Sequence, residues 1–341
     1  MDWTLILDKT ILIVIIFVIS LAIAAYSTYG ERKIAAFLQD RIGPDRAGPF
    51  GLLQPLADGV KFFLKEEIIP SASDKFLFII GPCIFMMTAL MTSAIIPWGM
   101  PFHFGEHEFK LQVADLNVGI LYLLAVVSIG GYGIMIGGWA SNNKFALLGA
   151  LRASSQMISY ELSMGMAIIA LLLVSQSLSI REIVEMQQGF HWNVFYQPVG
   201  FLIFLICAFA ECNRAPFDLP ESESELVGGY HTEYSSMKLG LFLFAEYINM
   251  FISSAIISCL FFGGYHFPGI DSLHLSPNLA AVVSVLVLFA KIFFFIFFFM
   301  WVRWTLPRFR YDQLMRLGWK ILIPLSIINV LATGAWLTFF K

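Results

Sequence analysis

Six carboxylates crowd into one hydrophilic segment, residues 211–238, which lies between two long apolar runs. The segment has only two basic residues, and its acids are Glu211, Asp218, Glu221, Glu223, Glu225 and Glu233. A simple turn between two membrane helices needs neither so many acids nor the rigid Ala-Pro-Phe-Asp-Leu-Pro stretch found here. Carboxylates beside a region of low dielectric bind protons more tightly than in water. The segment therefore predicts proton handling or coupling.

Further ionisable residues lie inside apolar runs or at their edges, where charge is costly and usually faces a wet cavity or a partner. They are Asp115, Glu161, Glu211, Glu246 and Lys291. A partly desolvated carboxyl suits proton transfer, and we predict that role for Glu161 and Glu246, with an interhelical hydrogen bond as the alternative. Asp115 begins a run, where a carboxylate simply favours a helix N-terminus.

Lys291 lies near the middle of an apolar run, twelve residues before Arg303. That separation is about 18 Å along a helix, too far for a lysine side chain to reach the membrane surface. We therefore expect a buried partner, and a carboxylate such as Glu161 or Glu246 is the expected one. A proton-coupling role competes with a purely structural ion pair.

The composition is that of a membrane protein. The chain has 341 residues, of which 58% are hydrophobic and 13% charged, whereas soluble domains carry about 25% charged residues. A net charge of −3 argues against a nucleic-acid partner. The four cysteines form no CxxC or CxxH spacing, and the closest histidines, His103 and His107, lie in a predicted loop, so we predict no metal site within this chain. Nucleotide-binding glycine motifs are not found either.

Eight apolar runs are long enough to cross a membrane, which takes about 20 residues. They are residues 8–30, 75–97, 115–138, 157–176, 196–213, 239–262, 279–302 and 320–340. We predict an all-α polytopic membrane protein with eight transmembrane helices that form a single membrane domain over residues 1–341. The first run has no basic segment before it and is read as a permanent span rather than a cleavable signal peptide.

Positive charge orients these spans. The loops after spans 1, 3, 5 and 7, together with Lys75 and Lys320 at the adjoining span ends, hold sixteen of the 21 Lys and Arg residues. We therefore predict that these loops face the cytoplasm and that both termini face the periplasm of a bacterial inner membrane. In the first loop, residues 55–67 carry a stripe at helical spacing: Leu56, Val60, Phe63 and Leu64. The stripe predicts a helix at the membrane interface, with packing on the helix bundle as the alternative.

Four long segments resemble one known family. They read YGERK, QDRIGP and GLLQPLAD within residues 29–58; RASSQMISYE at 152–161; AECNRAPFDLPE through ELVGGY at 210–230; and WVRW with PRFRYDQLM within 301–315. In their residues and in their order along the chain, these segments resemble the membrane H subunit of proton-translocating NADH:quinone oxidoreductase, respiratory complex I. The likeness covers essentially the whole chain.

The resemblance implies a membrane subunit of a translocase that binds no flavin, cluster or NAD itself. Quinone is then the substrate, flavin and iron–sulfur clusters lie in partner subunits, and the partners are peripheral-arm subunits and neighbouring membrane subunits. The family's quinone chamber maps onto Arg32, Gln39, Asp58, Lys61, Arg214, Phe217 and Glu221. Its acidic funnel for proton coupling maps onto Glu161, Glu211, Glu221, Glu223, Glu225 and Glu246, and Lys291 is predicted to act with that set. No single residue is predicted to be catalytic.

Two other functions are compatible with the sequence. A stand-alone transporter or channel is permitted by eight spans with buried charges, but no inverted repeat is visible. A membrane anchor of a related membrane-bound hydrogenase shares the general architecture. A purely structural anchor would leave Lys291 and the acids without a role.

Overall fold

The structure is a computed structural model that describes residues 3–105, 107–220, 223–269 and 276–340. Its helices are α1 (Trp3–Leu38), α2 (Gln54–Leu64), α3 (Lys75–Thr92), α4 (Gly119–Ala140), α5 (Lys144–Ser175), α6 (Ile180–Met186), α7 (Asn193–Tyr196), α8 (Pro198–Glu211), α9 (Glu223–Leu226), α10 (Ser236–Phe261), α11 (Pro277–Thr305), α12 (Tyr311–Arg316) and α13 (Ile323–Phe340). A π-helical turn, Leu317–Leu322, joins α12 to α13. Strands β1 (Phe102–Phe104) and β2 (His107–Phe109) pair antiparallel.

Seven helices in the described part are long and apolar enough to cross a membrane: α1, α3, α4, α5, α10, α11 and the α12–α13 stretch. The prediction of an all-α, multi-pass membrane protein is therefore confirmed. The predicted fifth span, residues 196–213, is only the 14-residue helix α8. Such a helix is about 21 Å long, shorter than the ~30 Å hydrocarbon core. The predicted number of eight membrane crossings is therefore reached only if the residues that flank α8 in the chain complete its crossing.

Helix α5 is longer than the apolar run that predicts it. It begins at Lys144 rather than at residue 157, and Asn143 caps it by accepting a hydrogen bond from the Phe145 amide at 2.8 Å. The added turns mix apolar residues with Lys144, Arg152 and the polar stretch 154–156, so hydropathy alone does not reveal them. Because of this extension, α5 reaches the charged loops as well as the membrane interior.

Glycines allow α3 and α4 to approach closely. A Cβ added to Gly81 would lie 2.8 Å from the main chain of Gly137, so no larger residue fits there. Small residues are typical of helix contacts in membranes. The Tyr234 hydroxyl donates to the Phe78 carbonyl at 3.0 Å, which fastens the acidic segment before α10 to this helix pair.

Polar side chains cap the C-terminal end of α10. Gln187 Nε2 donates to the carbonyl of Cys259 and Asn193 Nδ2 to that of Leu260, each at 2.9 Å. The last carbonyls of a helix have no partner within it, and in lipid an unsatisfied carbonyl is costly. The chain before α8 therefore packs against the end of α10, and α8 begins only at Pro198.

Lys291 belongs to the same cap. Its Nζ donates at 2.7 Å to three main-chain carbonyls, those of Phe262, Gly264 and His266, and it lies 5.3 Å from the centre of the Trp192 ring. The expected pairing of Lys291 with Glu161 or Glu246 is wrong. Carbonyl dipoles freed where α10 ends inside the bundle provide the negative potential that a carboxylate was expected to provide.

The loops that follow α1, α4, α8 and α11 meet at one end of the bundle. Arg308 pairs with Asp218 at 2.7 Å, and Asn142 Nδ2 donates to the Ala72 carbonyl at 3.1 Å. We refer to this end as the basic end because most of the Lys and Arg residues of the chain lie there. Its described loop residues are 39–74, 141–143, 212–220, 223–235 and 306–310. The predicted grouping of these loops is thus seen in the structure.

Helix α2 lies at the basic end and has two unlike faces. The predicted stripe of Leu56, Val60, Phe63 and Leu64 is between 55% and 81% exposed, so it does not pack on this chain's own bundle. On the other face the Phe62 carbonyl accepts a hydrogen bond from Ser236 Oγ at 3.0 Å. Residues 54–64 therefore form the predicted helix, with its apolar stripe turned outward.

Candidate functional site

A cavity of about 380 Å³ opens at the basic end between α1, α2, α10 and α11. Its polar lining is Glu31, Arg32, Asp58, Lys61, Tyr247 and Arg303, and its apolar lining includes Phe62, Phe244 and Trp304. Ligand sites are typically concave, with mainly apolar walls and a few placed polar groups. We refer to this candidate binding site as the α1–α2 cavity.

A buried carboxylate, Glu31, joins three helices at the wall of the α1–α2 cavity. Its Oε2 accepts hydrogen bonds from Arg214 Nη1 at 2.9 Å and from the Tyr247 hydroxyl at 2.8 Å, while Oε1 pairs with Arg303. Burial alone lowers the pKa of Arg214, but the Glu31 carboxylate, together with Tyr247 and Glu246, more than offsets this and holds that pKa above its usual value. The Arg214 guanidinium, 4.0 Å from the centre of the Tyr247 ring, therefore stays charged.

Helical spacing explains the burial of Glu31. Ser20, Ala24 and Ser27 precede it at intervals of three or four residues, and all four side chains are at most 6% exposed. Residues spaced in this way share one face of a helix. Small residues on that face bring α1 close to α10, so the carboxylate at its end reaches Tyr247.

A second ion pair ties α2 to α1. Arg32 Nη1 lies 2.9 Å from Asp58 Oδ2, and Lys61 Nζ lies 3.8 Å from Asp58 Oδ1. These three predicted chamber residues are thus brought together at the cavity. Because both cations are more than 45% exposed, the pair contributes little to stability, and its main effect is to set the charge at the cavity mouth.

Three other predicted chamber residues, Arg214, Gln39 and Phe217, are not at the cavity wall. Arg214 lies behind Glu31, and Gln39 is exposed, where its side-chain oxygen accepts from Arg41 Nε at 2.8 Å. Phe217 is buried against Tyr160, with ring centres 5.4 Å apart. Glu221 lies outside the described residues.

Among the predicted acids whose burial the structure describes, Glu246 is the most deeply buried, with 4% exposure. Its Oε1 accepts a hydrogen bond from the Tyr230 hydroxyl at 3.0 Å. Glu246 precedes Tyr247 on α10, and it interacts electrostatically with Arg214. The carboxylate is therefore linked through Arg214 to Glu31 and the α1–α2 cavity.

Two more acids extend this arrangement toward α5. Glu211 ends α8 and lines a small cavity of about 30 Å³, whose mainly apolar wall also includes Thr88, Asn249 and Ser253 and which has room for a water molecule. Glu161 contacts the Ser128 hydroxyl and interacts electrostatically with Glu211.

Cys212 lies within electrostatic range of both Glu211 and Glu246, so it marks the place where the two halves of the arrangement approach each other. We refer to Glu161, Glu211 and Glu246 as the acid row. The row runs from α5 to the Arg214–Glu31 pair.

The remaining predicted coupling residues lie apart from the acid row. Glu225 forms a partly exposed ion pair with Arg152 at 2.6 Å, and Glu223 begins the short helix α9, its side chain lying outside the described part. Lys291 caps α10, away from the row. Among the described residues no group of three His, Cys, Asp or Glu side chains is placed to hold a metal ion.

Sequence reasoning missed Glu31, Tyr247, Arg303 and Ser128 as site residues. For Glu31 a signal existed, because the small residues at 20, 24 and 27 mark a buried face that ends on this carboxylate. Tyr247, Arg303 and Ser128 carry no comparable signal. Their roles depend on which neighbour each one meets across a helix interface.

Known proteins resemble the chain over nearly its whole length. A family model described as NADH dehydrogenase matches residues 10–334. The chain is 66% identical over 334 residues to the NADH-quinone oxidoreductase H-subunit 1 of Cytophaga hutchinsonii, with 98% of each chain covered. It is 62% identical over 343 residues to the NADH-quinone oxidoreductase H-subunit of Flavobacterium psychrophilum, with 100% of each covered. A relative from Geobacter metallireducens, the NADH-quinone oxidoreductase H-subunit 2, is 50% identical over 333 residues, covering 94% of this chain and 93% of the relative.

Proposed function

The chain belongs to the H-subunit family of NADH-quinone oxidoreductases, and we propose that its α1–α2 cavity is part of the chamber through which quinone enters and leaves the complex. It is a membrane subunit of a respiratory oxidoreductase. A quinone has an apolar tail and two carbonyl oxygens that accept hydrogen bonds. Apolar walls with Arg32, Lys61 and Arg303 at the lining support this assignment.

The observation that carries the proposal is the position of Glu31. This carboxylate lines the cavity and also binds Arg214, which interacts with Glu246. Quinone reduction consumes two electrons and two protons, so groups near the cavity that supply these protons become more negative. In the proposed mechanism Glu31 and Arg214 transmit that change to the acid row, whose members share protons as a coupled set.

The coupling role is assigned to Glu161, Glu211 and Glu246, and the family resemblance extends the same role to Glu221, Glu223 and Glu225. A shift of one to two pKa units in such a set corresponds to about 1.4–2.7 kcal/mol, comparable to the ~2.3 kcal/mol for moving one charge across 100 mV. That is enough to bias a gate. The carbonyl contacts of Lys291 favour a structural role for this residue instead.

The same proposal assigns an orientation and partners. The basic end faces the cytoplasm and carries the peripheral-arm subunits, which hold the flavin and iron–sulfur clusters, and both termini face the periplasm. Gln39 and Glu221 extend the chamber toward those partners, and Phe217 forms a second layer behind it. The outward stripe of α2 lies in the membrane interface beside the quinone entrance, and α8 makes the eighth crossing with the help of the capping segment before it.

The proposal is tested with Glu161→Gln and Glu246→Gln in the complete complex. Each change removes a titratable proton while keeping the side-chain size. We expect assembly to be intact and quinone-linked NADH oxidation and proton pumping to fall at least about tenfold. NADH oxidation by ferricyanide, which does not require quinone, serves as the control for the peripheral arm. Full coupled activity in both variants would overturn the coupling role.

A further inference from the structure

We infer that Ser128 is a positioning residue whose hydroxyl changes its hydrogen-bond partner whenever Glu161 gains or loses a proton. The inference rests on the proposed coupling role of Glu161. It adds to the acid row a residue from α4 that no sequence motif marks.

The geometry presents one hydroxyl proton with two acceptors. Ser128 Oγ is in hydrogen-bond contact with Glu161 Oε1, across the interface between α4 and α5. The same Oγ lies 2.9 Å from the Leu124 carbonyl oxygen, one turn earlier on α4. A serine hydroxyl has a single proton and cannot donate to both at once. Which of the two groups donates the proton in the Ser128–Glu161 hydrogen bond therefore depends on the charge of Glu161.

Each charge state has its own arrangement. When Glu161 is ionised, the Ser128 hydroxyl donates to the carboxylate in a charge-assisted hydrogen bond. When Glu161 is protonated, its own O–H donates to Ser128 Oγ, and the serine proton turns to the Leu124 carbonyl. That carbonyl already accepts the helix N–H of Ser128, so it tolerates either arrangement. A hydroxyl rotation thus accompanies each proton transfer, and the helices need not move.

The surroundings of Glu161 make the Ser128 hydroxyl important for stabilising the ionised carboxylate. Glu161 and Ser128 line a groove of about 560 Å³ between α4, α5 and α13, whose other lining residues, apart from Trp319, are aliphatic, sulfur-containing or glycine. The charged group that interacts with Glu161 is Glu211 on α8, which disfavours a second negative charge. Within the described residues, Ser128 is thus the hydrogen-bond donor that compensates the ionised form of Glu161.

A simpler interpretation is that Ser128 only bonds back to its own helix, as serines in helices often do. Ser175 makes that contact on α5, where its Oγ lies 3.2 Å from the Leu171 carbonyl. It therefore provides a matched control for the loss of a back-bonded hydroxyl. A residue with only this role would not alter the spectroscopic signature of Glu161.

The test uses Ser128→Ala, Ser128→Thr, Ser128→Cys and Ser175→Ala in the complete complex. Quinone-linked NADH oxidation and pumping are measured, together with the infrared band of the protonated Glu161 carboxyl, assigned by its loss in Glu161→Gln. We expect Ser128→Ala to lower the rate roughly tenfold and to shift the band to higher wavenumber, because the carboxyl O–H loses its acceptor. Ser128→Thr should restore both, and Ser175→Ala should change neither.

The outcomes separate this inference from the proposed function. A normal rate and band in Ser128→Ala, alongside an impaired Glu161→Gln, overturn the role of Ser128 alone. Full activity in Glu161→Gln overturns the coupling role itself. If Ser128→Ala does not assemble, Ser128→Cys, which keeps the volume with a weak donor, gives the same comparison. Equal losses in Ser128→Ala and Ser175→Ala also overturn the inference.

Discussion

Glu31 is the residue on which the candidate site depends most. One carboxylate compensates two guanidinium groups, the buried Arg214 and the partly exposed Arg303, at the wall of the α1–α2 cavity. Buried charges of this kind are tolerated only when they are paired and hydrogen-bonded. The cluster retains a net positive charge beside the cavity, which suits the binding of a group that becomes more electron-rich on reduction.

We predict that Glu31→Gln destabilises the subunit by about 3–5 kcal/mol, because it leaves the buried Arg214 guanidinium without the carboxylate that pairs with it. Tyr247→Phe is the matched control, since it removes one hydrogen bond to Glu31, about 1 kcal/mol, and keeps the ring beside Arg214. The Tm of the purified complex and its quinone-linked activity measure both. Equal effects of the two substitutions would contradict the central role of the carboxylate.

At the scale of elements, α10 joins the cavity to the far half of the bundle. Its first half carries Glu246 and Tyr247, and its last turn is held by Gln187, Asn193 and Lys291. Because these contacts fix α10 along its axis, they also fix the height of both site residues relative to α1. A distant cap therefore supports the geometry of the site.

We predict that Lys291→Met lowers the Tm of the complex and its amount in the membrane. The change leaves up to three carbonyls unsatisfied, at about 1–3 kcal/mol each. Lys144→Met, at the exposed first turn of α5, is the control and should have little effect. A stable, fully assembled Lys291→Met complex that fails only in proton pumping would show instead that Lys291 carries protons.

At the scale of the whole molecule, the two ends differ in charge and in architecture. The basic end collects the cavity, α2 and the acidic segment, while the other end carries the β1–β2 hairpin and the cap of α10. An enzyme that couples redox chemistry to proton movement needs such polarity, because the two sides of the membrane have different tasks.

We predict opposite labelling of the two ends by a membrane-impermeant maleimide. Lys65→Cys, at the basic end, should react only in inside-out vesicles. Glu108→Cys, which precedes α4 in the chain, and Gln188→Cys, which follows α5, should both react only from the periplasmic side. Labelling of Gln188→Cys together with Lys65→Cys would contradict the eight-span topology, and the mass of the subunit identifies the labelled chain.

The sequence by itself determined the class of protein, its family and the division of charge between two ends. Hydropathy and charge belong to contiguous stretches of chain, and segments such as RASSQMISYE and PRFRYDQLM are contiguous too. Seven of the eight predicted spans are found for this reason. The exception, α8, is shortened by capping contacts with residues far away in the chain.

Only the tertiary structure decided which ionisable groups meet. Arg214 binds Glu31 across 183 residues of sequence, and Lys291 meets carbonyls rather than an acid. Such pairings depend on the rotation of each helix about its axis and on where the neighbouring helix ends. Neither can be predicted from any one segment of the sequence. For the same reason the role of Ser128 can be inferred only from the packing of α4 against Glu161.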